Sequence, residues 1–142
     1  MPRSRAPVRA GTFYPANPSE LEQTIERYLA QVEPHDVVGD LLGLACPHAG
    51  YVYSGQTAAY GYALARDALA QGKGFDLAVV LSPAHYAGTG RFLVTDANAY
   101  ETPLGSIELD RQAVEALDQE LGLRRIRFDQ EHAIEVQLPF LQ

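Results

Sequence analysis

Residues 41–55 read LLGLACPHAGYVYSG, an apolar run that passes into a polar turn punctuated by glycine. An apolar run of five or six residues bounded by glycine and proline predicts a buried strand over residues 41–46, and a helical apolar period follows the turn. His48 therefore lies where a strand ends and before a helix begins. In open α/β sheets this is a usual position for ligand binding.

A second stretch repeats this plan. Residues 75–83, FDLAVVLSP, predict another buried strand, and His85 follows its last proline by two positions. Between the two strands, small residues predict a helix over residues 56–71 with Ser54 as its N-cap. Strand, helix and strand make a βαβ crossover, in which the two strands are parallel. The sequence thus predicts that His48 and His85 emerge at the same edge of one sheet.

The rest of the pattern completes an α/β fold in a single domain, residues 1–142. Asn17 caps a predicted helix that runs to about residue 33, and Asp110 caps another that ends near Gly122. The other predicted elements are strands at 92–94, 107–109 and 124–128, a loop at 100–105 and a final helix from residue 131. That final helix ends on apolar residues without a C-cap, which predicts a domain incomplete at its C-terminus.

Composition excludes several classes of function. The formal net charge is −7 and no basic run is present, which argues against nucleic acid as a partner. No stretch approaches the roughly 18 apolar residues of a membrane span. The single cysteine rules out a disulfide framework and suits a reducing compartment. The sequence therefore predicts a soluble cytoplasmic protein that binds neither nucleic acid nor a membrane.

Two histidines at matching strand ends predict a shared metal site at His48 and His85, although either one alone is more often a loop residue bonded to nearby backbone. Neutral imidazole binds zinc, copper, iron and nickel, so the pair does not select the metal. His132 and Glu135, three residues apart, are predicted to share a helix face. Glu135 would then supply the carboxylate of a 2-His-1-carboxylate site. Alternatively, His132 or Glu135 would form a hydrogen bond that orients a metal ligand without binding the metal itself. The alternative with equal weight is that Glu135 is solvated and His132 lies near the helix cap, with neither residue in a metal site.

Other candidate side chains have two interpretations. The hydroxyls of Tyr51, Tyr53 and Ser54 would orient a polar ligand, or these residues pack with one polar end each. Cys46 precedes the first histidine of the pair by two positions, but an isolated cysteine in an apolar strand is far more often a buried, inert thiol. We expect Cys46 to belong to the core. His35 is predicted to lie at the surface.

Four separated motifs resemble the Memo family in order and spacing. They are GTFYPANPSEL from Gly11, PHAGYVYSG from Pro47, YETPLG from Tyr100 and EHAIEVQLPFLQ from Glu131. The resemblance covers nearly the whole chain and corresponds to the N-terminal half of the family's domain. It implies a fold similar to the class III extradiol ring-cleaving dioxygenases, a three-layer α/β sandwich with a largely parallel sheet.

The resemblance also implies metal binding by His48 and His85, with iron or copper as the metal and a cysteine of the family's second half as the third ligand. Cys46 does not stand at the position of that cysteine. The sequence departs from the family at residues 82–85, which read SPAH where GPSH or GPNH is usual, and at Ala133, where a serine is frequent. Both predicted ligands remain, while the residues that surround and orient them change.

Two functions of different classes follow. The first is a Memo-like metal-binding protein that holds iron, with copper as the alternative. If it is catalytic, it is a non-haem metal-dependent oxidoreductase, and no residue is assigned as catalytic. The second is a non-catalytic module that binds a peptide or an anion, and an inactive fragment is a further alternative. The expected ligand is a small molecule or a peptide. The expected partner is a second copy, or a second chain that completes the domain.

Overall fold

The described part of the chain contains both helices and strands. A computed structural model describes residues 3–33, 39–86, 92–127 and 130–142. Within these ranges the elements are β1 (Ser4–Arg5), α1 (Pro18–Ala30), α2 (Tyr51–Ala70), β2 (Leu93–Thr95), β3 (Ala99–Thr102), β4 (Gly105–Glu108), α3 (Arg111–Leu121), β5 (Arg124–Ile126), a 3₁₀ turn (Glu135–Gln137) and α4 (Leu138–Leu141). The α/β class is confirmed. The surface position predicted for His35 lies outside the described residues.

Local capping signals fix α1 and α3. The side chain of Asn17 accepts a hydrogen bond from the Glu20 N–H at 3.1 Å, and Asp110 accepts one from the Ala113 N–H at 3.0 Å. Helix α3 ends at Gly122, whose φ of 63° is the left-handed conformation that glycine adopts without strain. The predicted caps of both helices are confirmed.

Helix α2 begins five residues earlier than the sequence predicts. Its N-cap is Gly50, and Ser54 lies inside the helix. The cause is tertiary, because the Tyr51 N–H donates to the Phe13 carbonyl at 2.7 Å and the Tyr51 ring is buried. The position of Tyr51 against the N-terminal segment thus sets the start of the helix. The predicted cap at Ser54 is wrong.

Helices α1 and α2 pack closely at Gly55. A Cβ atom added to Gly55 would lie 2.6 Å from Cε2 of Tyr28. That ring cannot move freely, since its hydroxyl donates to the Tyr51 carbonyl at 2.9 Å. Gly55 therefore allows the close approach of the two helices.

Replacing Gly55 by alanine should destabilise the protein. Because the added Cβ would lie only 2.6 Å from the Tyr28 ring, we expect the upper end of the usual overpacking cost, about 3 kcal/mol. The better helix propensity of alanine returns about 1 kcal/mol, so the expected net loss of unfolding free energy is about 2 kcal/mol. Urea unfolding followed by circular dichroism would measure it. Thr57→Ala, at an exposed position of the same helix, is the matched control and should change stability little. Equal stabilities of the two variants would contradict the packing argument.

The described strands form two small sheets. In one, β1 pairs parallel with β3 and β3 pairs antiparallel with β4, and in the other β2 pairs parallel with β5. The strands predicted at 92–94 and 107–109 appear as β2 and β4, with ends displaced by one or two residues. The strand predicted at 124–128 appears as β5, which begins at residue 124 as predicted and ends at residue 126, with residue 128 outside the described ranges. The loop predicted over 100–105 is wrong, because Tyr100 pairs with Ile107 across a hairpin with only two residues in its turn.

The two strands predicted around the histidines do not form as hydrogen-bonded strands. Residues 41–46 and 75–83 belong to neither sheet, and among the described residues no strand pairs with them. Their apolar side chains are largely exposed. The prediction of two buried strands is wrong here for a physical reason: a strand needs a paired neighbour, and the described part of the chain supplies none to these segments.

The final helix is also shorter than predicted. The Glu131 carboxylate accepts the N–H groups of His132 and Ala133, and a turn at 133–134 precedes the 3₁₀ turn that begins at Glu135. His132 and Glu135 consequently do not share a helix face. This segment closes the main core, in which Val136 packs with the residues Tyr14, Leu21, Ile25 and Tyr51.

Candidate metal site

The turn that carries His48 is held from both sides. Directly after it, the Tyr51 N–H is bonded to the Phe13 carbonyl, and directly before it, the Pro47 carbonyl accepts a hydrogen bond from Gln137 Nε2 at 2.9 Å. The two partners come from opposite ends of the chain. His48 is therefore positioned by the N-terminal segment and by the last turn together.

Glu131 positions His85. Its carboxylate accepts the His85 backbone N–H at 2.6 Å and contacts His85 Nδ1 at 2.9 Å, in addition to the N–H groups of His132 and Ala133. Burial raises the pKa of the Glu131 carboxyl, but the hydrogen bonds from the His85 ring and from these three backbone groups outweigh it and lower the pKa to about 2. An ionised carboxylate thus holds the His85 ring through Nδ1, which leaves Nε2 for a ligand.

His132 is the third histidine at this place, and it is 9% exposed. Its ring stacks on His85 with 4.8 Å between centroids and meets the Phe13 ring edge-on at 4.9 Å. Burial lowers the pKa of His132, a shift that the Glu131 charge partly opposes. Its Nδ1 atom is buried and has no hydrogen-bond partner. A neutral imidazole with a buried, unsatisfied nitrogen is a costly arrangement that a ligand would relieve.

The three rings form one cluster. One nitrogen each of His48, His85 and His132 lies within 4.8 Å of the others. Nitrogen atoms bound to a single ion at about 2.1 Å are at most about 4.2 Å apart, so shifts of under about 1 Å would close the cluster around an ion. The donor set, three imidazoles with one nitrogen of the His132 ring left unsatisfied, fits a transition metal.

The other candidate residues lie in different surroundings. Tyr51 belongs to the core, where its hydroxyl donates to the Val136 carbonyl at 2.8 Å. Ser54, in the first turn of α2, donates to the Ala49 carbonyl at 3.2 Å. Tyr53 is exposed beside the cluster. Cys46 is not a member of the cluster, and burial raises the pKa of its thiol, so it stays protonated.

Glu135 lies in a separate buried network. Its carboxylate accepts hydrogen bonds from the Val8 and Arg9 N–H groups at 2.9 and 2.8 Å, from the Tyr14 hydroxyl at 2.7 Å and from Arg5 Nη1 at 3.1 Å. Burial, and then the hydrogen bond to Glu135, raise the pKa of Tyr14 far above its usual value. Glu135 therefore anchors the N-terminal segment and is not a member of the histidine cluster.

A groove of ≈ 530 Å³ opens beside the cluster. His48 and His132 form part of its wall, and the rest comes from the N-terminal segment and the turn before α2. Its lining residues are Thr12, Phe13, Pro47, His48, Ala49, Gly50, Tyr53 and His132. A small ligand in the groove would contact both histidines and the aromatic rings.

Sequence reasoning missed two residues of the site, Glu131 and Arg9. The guanidinium of Arg9 lies 5.4 Å from the Phe13 ring centroid and 5.8 Å from that of Tyr86, and it donates to the Tyr86 hydroxyl at 2.7 Å. An acidic residue immediately before a turn can cap the following N–H groups, which is a signal for Glu131 that the sequence contains. No local pattern brings Arg9 to the cluster, because the contact spans 77 residues.

Fold and site together define an α/β protein with a cluster of three histidines. A family model described as Memo-like protein matches residues 5–142. The chain belongs to the Memo family. Among the described residues, no helix has the length and hydropathy to cross a membrane.

Curated relatives agree with this assignment. Over 97% of its length the chain is 40% identical to a MEMO1 family protein of Methanosarcina barkeri, 39% to one of Methanopyrus kandleri and 35% to one of Nitrosopumilus maritimus. The match covers 49%, 51% and 51% of these relatives respectively. The chain thus spans about half the length of the curated relatives it matches.

Proposed function

We propose that this chain is a metal-binding protein in which His48, His85 and His132 hold one transition-metal ion, iron or alternatively copper. The observation that carries the proposal is the convergence of three imidazole nitrogens within 4.8 Å. Imidazole ligands suit both metals, and the preference for these two over zinc rests on the resemblance to the Memo family. Such an ion would supply a redox-active centre for an oxidoreductase of the extradiol dioxygenase type.

The chain's own residues have distinct roles in this proposal. Glu131 fixes the orientation of the His85 ring, and Phe13 covers His132 and limits the access of water. The groove beside His48 receives the substrate, with the ring of Tyr53 at its rim. We also propose a cytoplasmic location, which the single cysteine supports. The three-layer sandwich is proposed as well, on the resemblance to the Memo family.

Metal analysis tests the proposal. Protein purified without a metal-binding tag and reconstituted anaerobically with Fe(II), or with copper, should retain close to one ion per chain by elemental mass spectrometry. His48→Ala and His85→Ala should each lose most of it, because two imidazoles bind far more weakly than three. His35→Ala, which also removes one histidine, is the matched control and should retain the metal. No retained ion in the wild-type chain, or equal retention in all variants, would contradict the proposal.

One observation favours the second candidate, a module that binds an anion or a phosphorylated peptide. Arg9 places a guanidinium between the Phe13 and Tyr86 rings, and both rings also contact His132, with centroids 4.9 and 6.1 Å away. A cation beside the groove can pair with a phosphate or carboxylate. Calorimetry with phenyl phosphate on chelator-treated protein separates the candidates: binding without metal, abolished by Arg9→Leu, would favour the module.

A further inference from the structure

One face of helix α2 carries two tyrosines whose hydroxyls bond to consecutive residues of the 3₁₀ turn. Tyr51 donates to the Val136 carbonyl at 2.8 Å, and Tyr62 donates to Oε1 of Gln137 at 2.8 Å. Eleven positions separate the two tyrosines in the sequence, which is close to three turns of an α-helix, so they lie on the same face. Tyr51 belongs to the core, whereas the bond of Tyr62 ends on a side chain that itself reaches the turn of His48.

The two partners of the Gln137 amide decide its orientation. Nε2 donates to the Pro47 carbonyl at 2.9 Å, and a carbonyl can only accept a hydrogen bond. The amide oxygen therefore faces the Tyr62 hydroxyl, which donates to it. Burial raises the pKa of Tyr62, so this hydroxyl keeps its proton. Because Gln137 is only 6% exposed, water does not readily replace either bond.

The Tyr62 ring is itself held in place. It stacks on the Phe140 ring with 4.9 Å between centroids and 6° between planes, and Phe140 also contacts the Tyr51 ring at 5.2 Å. Aromatic contacts of this kind fix a side chain and leave its hydroxyl free to bond elsewhere. The Tyr62 hydroxyl therefore has a defined position from which it orients the Gln137 amide.

A relay of two hydrogen bonds thus runs from Tyr62 through the Gln137 amide to the Pro47 carbonyl. Pro47 directly precedes His48, so the relay fixes the backbone from which the His48 side chain leaves. Residues that orient a metal ligand without touching the metal typically change the metal affinity by about ten- to a hundredfold when they are lost.

The relay also connects His48 to the segment that carries His132. Gln137 follows His132 by five residues, and the Val136 N–H donates to the His132 carbonyl at 3.0 Å between them. The rings of His48 and His132 are 6.0 Å apart, the widest of the three ring pairs in the cluster. The position of His85 depends instead on the Glu131 carboxylate. Loss of the relay should therefore displace His48 and leave the other two histidines together.

We infer that Tyr62 is a positioning residue for the candidate metal ligand His48 and acts on it through the Gln137 amide. This role rests on the proposed function, because it concerns the distance at which one of its three ligands is held from another. All of its contacts are hydrogen bonds and ring contacts between described residues. Their loss should weaken metal binding by more than the accompanying loss of stability explains.

Fe(II) binding by three variants tests this role. Tyr62→Phe keeps the ring that stacks on Phe140 and removes only the hydroxyl, so the dissociation constant should rise about tenfold. Gln137→Leu should raise it by about ten- to a hundredfold. The double variant should match Gln137→Leu alone, because both residues act through one relay. Anaerobic competition with a chelator of known affinity measures all three constants.

Tyr28→Phe is the matched control. Tyr28 also donates its hydroxyl to a group of α2, the Tyr51 carbonyl at 2.9 Å, so the variant loses one hydrogen bond of the same kind and keeps the relay. Its thermal midpoint without metal should fall about as far as that of Tyr62→Phe. Its dissociation constant for Fe(II) should equal that of the wild-type chain.

A second measurement needs no metal. In chains with isotope-labelled histidine, the NMR order parameter of the His48 ring should be lower in Tyr62→Phe than in the wild type or in Tyr28→Phe. The His85 ring should keep its value in all three, because Glu131 holds it. The spectrum of His48→Ala identifies the His48 signal.

Three results would overturn the role of Tyr62. They are equal Fe(II) affinities of Tyr62→Phe and Tyr28→Phe, additive effects of Tyr62→Phe and Gln137→Leu, and an unchanged order of the His48 ring in Tyr62→Phe. A wild-type chain that binds no Fe(II) would contradict the proposed function instead. The order of the His48 ring in the metal-free variants would then decide the role of Tyr62 by itself.

Discussion

Replacing Glu135 by alanine should cost the protein about 3–5 kcal/mol of unfolding free energy, the usual effect of removing one partner from a buried ion pair. The fully buried carboxylate accepts hydrogen bonds from two backbone N–H groups, from the Tyr14 hydroxyl and from Arg5, whose side chain is itself nearly buried. Without it these donors lose an acceptor in a site that water does not reach. Since domains are stable by only about 5–15 kcal/mol, this is a large fraction of the total.

Thermal unfolding followed by far-ultraviolet circular dichroism measures the effect. The expected decrease in the midpoint of Glu135→Ala is on the order of 10 °C for a domain of this size. Glu120→Ala, which removes an exposed carboxylate from α3, is the matched control and should leave the midpoint nearly unchanged. Glu135→Gln restores the shape but turns an amide donor towards other donors, so it should be only a partial rescue. A midpoint for Glu135→Ala equal to that of the control would contradict the role of the network.

The helix ends that nearby residues determine could be predicted from the sequence. Asn17 and Asp110 cap their helices through their own side chains, and Gly122 ends a helix because it adopts a positive φ. The start of α2 could not be predicted, because a hydrogen bond between Tyr51 and Phe13 sets it. Contacts of that kind depend on residues far apart in the sequence, which periodicity does not record.

The two strands predicted around the histidines show a different limit. Their apolar composition is a property of the sequence, but hydrogen-bonded pairing also requires a neighbour. Residues 41–46 and 75–83 belong to neither described sheet, and most of their large apolar side chains are exposed. The apolar pattern indicated which segments suit a buried strand, and it could not indicate whether a described segment pairs with them.

In the candidate metal site, one sequence argument placed its residues correctly and another did not. The strand-end argument placed His48 and His85 near each other, and their rings are 5.2 Å apart. The helical argument paired His132 with Glu135, and it failed because hydrogen bonds to the Glu131 carboxylate replace the first helical turn. His132 consequently stacks on His85, whereas Glu135 binds the N-terminal segment. A single carboxylate that caps a turn thus decides which of the two candidates joins the cluster.

His132→Ala should weaken metal binding by at least about a hundredfold. Loss of a residue that only supports a ligand typically costs ten- to a hundredfold in affinity, and loss of a ligand should cost more. Competition with a chelator of known affinity, under anaerobic conditions with Fe(II), measures the dissociation constant. The increase in thermal midpoint on metal addition should disappear in the same variant, because stabilisation by a ligand follows its affinity.

Phe13→Leu is the control that separates coordination from packing. It removes the aromatic ring that meets the edge of His132 and keeps the imidazole. Because the Phe13 side chain makes no hydrogen bond to a ligand, the dissociation constant should change by less than about tenfold, below the range for hydrogen-bonded supporting residues. If His132→Ala binds Fe(II) as tightly as Phe13→Leu while His48→Ala does not bind it, the third ligand is not His132. The proposal of a complete three-histidine site within this chain would then fail.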